Sequence, residues 1–280
     1  MSYKTILVSL NEIDRLDTLV ELTAKLALKY DAHVLGLYVI PAAAVYPAVG
    51  PYVAPEIFDS FTKFFEDQSK KVKQKFETVM KRNSLASQWL EVRALVPMIS
   101  DTISEIGRIA DLIVLSETDR NASQGVELNV VENTIMSAGR PVLVIPRKAE
   151  GDLKVSQIVC GYNGSKEAAR AVHDALPFLK MADDVRLVWV DPSKESEMAG
   201  SVPGSDMAES LDRHGVRATA ESMPTNGINP AEALVTRARD LGAGMVVMGA
   251  YGHSRLREFV LGGATKQALS AMTVPLIMSH

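Results

Sequence analysis

The sequence predicts an α/β chain made of two tandem doubly wound domains, each an open five-stranded parallel sheet with helices on both faces. Three observations predict it. Short apolar, β-branched runs alternate with stretches of helical periodicity. The same series of runs occurs twice along the chain. Near the end of the second series, the apolar run Met245–Met248 leads through a glycine-punctuated loop into a helix start at Ala264.

The first series opens with Thr5–Leu10, a short strand, followed by a helix from Asp14 to Tyr30 with Leu16, Leu19, Val20, Leu22 and Leu26 on one face. Val34–Ile40 is the second strand, and a strand–helix–strand unit of this kind implies parallel pairing. Residues 41–55 read as a Pro, Ala and Tyr-rich loop, and Pro55–Arg82 as a long amphipathic helix. Ile57, Phe58, Phe61, Phe64 and Phe65 form an apolar stripe expected in the core or at a subunit interface; Lys70, Lys71, Lys73 and Lys75 form a solvated face. Trp89–Leu95 alternates as a strand does, Met98–Ile109 is helical, and Asp111–Leu115 is a strand. Val126–Ala138 is a helix with Gly139 at its C-terminal end, and Pro141–Pro146 encloses a last strand of the kind found at sheet edges.

After the polar joint Lys148–Leu153 the series restarts. Ile158–Gly161 repeats Ile6–Ser9, Asn163 onward repeats Asn11 onward, and Arg186–Val190 repeats the second strand. Ser205–His214 is a much shorter middle helix, Pro230–Asp240 repeats the helix near Ser100, and Val274–Met278 repeats Pro141–Ile145. The boundaries expected are 1–148 and 152–280. At 280 residues, two domains of about 140 are the natural prior, each large enough for its own core.

Composition excludes several classes. A net charge of −4 with both signs interspersed gives no support to a nucleic-acid or membrane-surface partner. The single cysteine, Cys160, rules out an intramolecular disulfide and reads as an inert strand residue. The five histidines include no H-E-x-x-H pair and no zinc spacing, so no metal site built from protein ligands is expected. The N-terminus runs straight into a strand, without a signal-peptide pattern or an apolar run long enough to span a bilayer, which makes the cytoplasm the expected location.

In doubly wound sheets, ligands bind beyond the carboxyl ends of the strands, where the strand order reverses. That brings together the loop after the first strand of the second series (Gly161, Tyr162, Asn163, to Ser165), the end of its second strand (Val190–Asp191) and the loop after its fourth (Met248, Gly249 onward). Glycines at 249, 252, 262 and 263 let backbone N–H groups turn towards an anion. The helix start at Ala264 adds unpaired donors and the positive end of its dipole, and Thr265 adds a hydroxyl. A tight turn for close helix–strand packing is an equal reading of the same glycines. The loop is neither G-x-x-x-x-G-K-[ST] nor G-x-G-x-x-G.

The repeat, the first-strand loop and Gly249-x-x-Gly252, nine residues, Gly262-Gly263 together resemble the universal stress protein family in its tandem form, over nearly the whole chain. The resemblance implies the adenine nucleotide α-hydrolase-like form of the fold, and a stress-response module that binds ATP or another adenine nucleotide, with Mg²⁺ carried by the nucleotide. Carried over residue by residue, the phosphates fall to Gly249, Gly252, Gly262, Gly263 and Thr265, with Ala264 between them, and the base to Val190. Two positions depart from the family pattern. Gly263 stands where the family has Ser or Thr, and Asn163 (Asn11 in the first series) where it has Asp. The resemblance further implies that the last strands of the two series pair within the chain as a pseudo-dimer; association of two chains into a homodimer is a further expectation.

The two series are unequal. Ser116 and Asp119 replace Gly249 and Gly252, while Leu128, Asn129 and Val131 stand where Gly262, Gly263 and Thr265 do. Glu117, Asp119 and Glu127 would repel a triphosphate by about a kcal/mol each. One nucleotide per chain is therefore expected, in the second series. Tyr251, His253, Arg255 and Arg257 read as loop surface, although the arginines could reach phosphate. Nothing pairs a nucleophile with a base and an orienting group, so no catalytic residue is assigned. The alternatives are a scaffold or a sensor of another small ligand, and, third, an adenylyl-transferring or pyrophosphatase enzyme on the same sheet type.

Overall fold

The computed structural model describes residues 2–42, 55–94, 98–119, 127–149, 152–192, 202–250 and 263–280. The chain divides into two compact units, one spanning Tyr3–Ala138 and the other built on Gly139–His280.

The first unit contains β1 (Thr5–Ser9), α1 (Leu16–Tyr30), β2 (His33–Ile40), α2 (Pro55–Arg82), β3 (Ser87–Arg93), α3 (Ile99–Gly107), β4 (Leu112–Ser116) and α4 (Val130–Ser137). Its strands run β3-β2-β1-β4, each pair parallel. The helix expected from Asp14 starts with a 3₁₀ turn at Ile13–Arg15; no side chain caps it, and an uncapped start tightens in this way. α1 ends where Asp31 adopts a left-handed conformation, φ 50°, and Lys4 pairs with its carboxylate at 3.0 Å.

The core side of α2 differs from the expected phenylalanine stripe. Phe64 is 55% exposed, while Val72, Phe76, Val79 and Met80 are buried. The side chains of Ile57, Phe58 and Phe61 lie outside the described residues. Phe76 packs against Trp89 with ring centroids 5.7 Å apart. It needs Gly36 beneath it, because a Cβ there would fall 2.7 Å from the ring. Phe65 is half-buried, and the later turns of α2 cover the sheet.

The second unit contains β5 (Val142–Ile145), β6 (Gln157–Gly161), α5 (Lys166–Asp174), α6 (Leu176–Leu179), β7 (Asp184–Val190), α7 (Ser205–Asp212), β8 (Ala218–Met223), α8 (Pro230–Asp240), β9 (Met245–Gly249), α9 (Gly263–Ala271) and β10 (Leu276–Ser279). Its strands run β5-β10-β9-β6-β7-β8. The β6, β7, β8, β9 and β10 pairings are parallel. β5 is antiparallel to β10, with Val144 opposite Leu276 and Val142 opposite Met278. Ile158, Val159 and Cys160 of β6 and Met245, Val246 and Val247 of β9 have no exposed surface. Parallel strands buried on both faces need unbroken apolar runs, which is how the sequence reads. Burial also pushes the Cys160 thiol far above its ordinary pKa, so it is not a nucleophile in the folded chain. The strand order reverses between β1 and β4 in the first unit, and between β6 and β9 in the second.

Candidate functional site

In the second unit the switch point is built from the carboxyl ends of β6 and β9. Gly161 ends β6 and Gly249 ends β9, and the parallel register places Gly161 opposite Met248. Both glycines are packing positions. A Cβ at Gly161 would lie 2.6 Å from a methyl of Leu234 on α8; one at Gly249 would lie 2.6 Å from the backbone of Glu167 and Ala168 on α5. Gly249 therefore lets the N-terminus of α5 rest directly on β9. The tight-packing reading of this glycine holds in the structure.

The rest of the predicted cradle divides in two. Gly252 and Gly262, with Tyr251, His253, Arg255 and Arg257, lie outside the described residues. Gly263 and Ala264 open α9 and are exposed; a Cβ at Gly263 would meet nothing within 4 Å. Thr265, in the same first turn, is buried, with 2% of its surface exposed. Met248 is buried beneath the crevice, and Ala250 donates its N–H to Ser279 at 2.8 Å.

Across β6, Tyr162 donates its N–H to the Val188 carbonyl at 3.0 Å and Asn163 follows it into an exposed turn. The Asn163 side-chain oxygen accepts from the Ser165 N–H at 3.2 Å, and Ser165 in turn caps α5 by accepting from Ala168 N–H. The Asn163 amide nitrogen makes no hydrogen bond among the described residues. Tyr162 and Trp189 stand edge to face, ring centroids 6.0 Å apart. Burial raises the Tyr162 hydroxyl pKa, and the nearby Asp206 carboxylate raises it further. Beyond half-buried Val190, Asp191 takes a left-handed conformation, φ 47°, and its carboxylate accepts from the Thr225 N–H and hydroxyl at 2.9 and 2.6 Å. Those bonds hold the Asp191 carboxyl below its ordinary pKa.

The first unit closes the same positions with its own groups. The register Ser9–Leu37 matches Gly161–Val188, so Asn11 corresponds to Asn163 and Val39 to Val190. Asn11 bonds Val39 in both directions, donating to its carbonyl at 2.7 Å and accepting from its N–H at 3.1 Å. Glu127 sits on the N-terminus of α3, which lacks a capping side chain of its own. It accepts from the Ser100 N–H at 2.9 Å, the Ser100 hydroxyl at 2.5 Å and the Asn133 amide at 2.7 Å. A carboxylate thus caps the start of α3, as Asn229 caps α8.

Three residues of this region were not singled out by the sequence reading. Trp189 aligns with Tyr38 of β2 once the registers are compared. Gly164 and Gly204, both with positive φ, stand in Asn-Gly and Pro-Gly turn pairs, a local signal that was present in the sequence. Among the described residues, no three His, Cys, Asp or Glu side chains gather to hold a metal, and no helix is long and apolar enough to cross a membrane.

Residues 154–280 match the family model described as the universal stress protein family. Universal stress protein Slr1230 of Synechocystis sp. is 25% identical over 180 residues, covering 63% of this chain and 60% of its own length. A universal stress protein from Archaeoglobus fulgidus superposes over 100% of this chain and 96% of its own, with TM-score 0.70 and 16% identity. A functionally unknown protein from Pseudomonas aeruginosa superposes over 99% of this chain and 92% of its own, with TM-score 0.63 and 13% identity. The last two matches establish the fold over the full length. The second repeat, residues 154–280, is a universal stress protein domain.

Proposed function

We propose that the chain is a stress-response binding module, not a dedicated enzyme, whose second repeat holds one ATP or related adenine nucleotide. One observation carries this reading: Asn11 bonds Val39 through both its side-chain atoms, whereas among the described residues the equivalent Asn163 side chain bonds only the Ser165 N–H. The phosphates would lie along Gly249, Gly252, Gly262, Gly263 and Thr265, with Ala264 at the helix start. The base would lie near Gly161, Tyr162, Asn163 and Val190, over Met248. The residues fit such a ligand in two respects. Gly263 leaves open space at the start of α9, and the Asn163 amide nitrogen, which bonds no described residue, offers a donor to a ring nitrogen or a ribose oxygen. Mg²⁺ would arrive on the nucleotide, shielding its charge. The repeats at 1–148 and 152–280 would act as an internal pseudo-dimer, for which the β5–β10 ladder is the support, in a cytoplasmic protein able to form a homodimer.

Calorimetric titration with ATP tests the reading. One site per chain is expected; two equivalent sites, or none at millimolar ATP, would refute it. A second reading, a scaffold without nucleotide, is favoured by Gly249, whose missing Cβ is already accounted for by α5. Mass spectrometry of the gently purified protein separates the two, and steady-state ATP turnover tests for enzymatic activity.

A further inference from the structure

Two histidines far apart in the chain meet on the surface of the second unit. His173 lies in the last turn of α5, His214 follows the end of α7, and both are exposed. Their ring centroids stand 6.2 Å apart, with the planes 80° to each other. Both backbones are held. His173 is inside its helix, and Ala175 donates back to the carbonyls of Ala171 and His173. His214 donates its N–H to Leu211 at 2.9 Å. Gly215, φ 79°, then turns the chain so that Val216 also donates to Leu211, at 3.0 Å. Both helices run back to the amino ends of the strands, so the pair lies away from the crevice.

The first repeat fills the same places differently. Counted from the matching strand positions Ser9 and Gly161, His173 stands where Glu21 does. Counted from the left-handed residues Ser84 and Gly215, His214 stands where Asn83 does, and Arg213 where Arg82 does. Glu21 and Arg82 join α1 to α2 by an ion pair at 2.6 Å, and the Asn83 amide donates to Val79 of its own helix at 2.8 Å. In the second repeat the acid is gone. Arg213 turns to Glu209 on its own helix, at 3.8 Å, and two imidazoles meet between the helices instead.

Facing imidazoles are a ligand pair for a divalent late transition metal, an ion that favours nitrogen donors. With a metal–nitrogen distance of about 2.0–2.1 Å, the ion lies roughly 3.2 Å from the ring centre. Two rings sharing one ion then have centres between about 5 Å, at a tetrahedral angle, and about 6.4 Å, in line. The observed 6.2 Å falls inside that span, and exposed rings can rotate to close it. Water completes the coordination.

We propose that His173 and His214 form a two-histidine site for a divalent transition metal such as Zn²⁺, clasping α5 to α7. The site is independent of the nucleotide reading. Histidine spacing along the chain gives no sign of it, because the fold makes the pair from two separate helices.

The experiment titrates the metal-free full chain with ZnCl₂, reading heat and histidine ring NMR signals. The His173 and His214 ring signals should shift together and saturate, and Tm should rise, as it does when a ligand binds the folded state. The variants are His173→Ala and His214→Asn, the latter installing the first repeat's residue. Losing a direct ligand should cost at least the roughly tenfold in affinity that losing an outer-shell partner does. The Tm rise should vanish in both, while the metal-free circular dichroism spectra match wild type. If a variant fails to fold, the wild-type ring signals decide the matter. Ring signals that do not move, or a loss of affinity under about tenfold in either folded variant, would place the ion elsewhere and overturn the proposal.

Discussion

Gly249 offers the sharpest test of how this crevice is built. Replacing it with alanine would put a Cβ 2.6 Å from the Ala168 nitrogen and the Glu167 carbonyl carbon, and 2.9 Å from the Glu167 Cβ. Ordinary contact begins at 3.4 Å, so α5 must retreat from β9 by about 0.8 Å. Two of the three obstructing atoms are backbone, so no rotamer change relieves the clash. Overpacking of this kind costs up to about 3 kcal/mol, and the helix carries its Ser165 cap with it as it moves. In a unit of about 140 residues that unfolds by itself this lowers Tm by about 10 °C. Urea denaturation followed by circular dichroism measures the loss, and amide hydrogen exchange should localise it to α5 and β9. The control is Gly263→Ser, where no atom lies within 4 Å. It should change stability by less than about 0.5 kcal/mol and, by adding a hydroxyl at the helix start, leave nucleotide affinity equal or higher. A Gly249→Ala chain as stable as wild type would refute the packing argument.

Three further outcomes follow from the asymmetry of the repeats. Asn11→Ala removes two hydrogen bonds to Val39 and should cost about 1–2 kcal/mol, whereas Asn163→Ala should cost under about 0.5 kcal/mol and instead weaken adenosine binding; paired denaturation curves and calorimetry compare them. Glu127→Ala uncaps α3 and should cost about 1–2 kcal/mol, with faster exchange of the Ser100 amide as its local signature. The Asp191 carboxyl should titrate below ordinary aspartate. A depressed carboxyl contributes stability above its unfolded pKa and loses it as pH falls through the lower folded value, so Thr225 should stay bonded through the ordinary aspartate range and be released only below it. Thr225→Val should move the Asp191 titration back up in an NMR pH series; an ordinary value in wild type would contradict the geometry.

The order of elements was legible because their signals are local. β6 and β9 had to be buried parallel strands, since no other element absorbs runs such as Met245–Met248 without exposing them. Helix ends followed from nearby residues, as at Pro230 and Gly139. Periodicity gave the apolar face of α2 but not which of its turns covers the sheet; the position of Gly36 under Phe76 places the later turns there.

The sequence by itself determined the duplication, the parallel strands, the place of the switch point and the loss of glycines in the first repeat. All of these are properties of one short segment at a time. The tertiary structure decided what the site residues touch. It made Gly249 a seat for α5, spent the Asn11 amide on Val39, set Glu127 on a helix end 27 residues away, and packed Tyr162 edge to face against Trp189. Asn11 and Asn163 look alike in the sequence. They diverge because a side chain's free donors depend on its neighbours across the sheet, and residue type alone does not encode those neighbours.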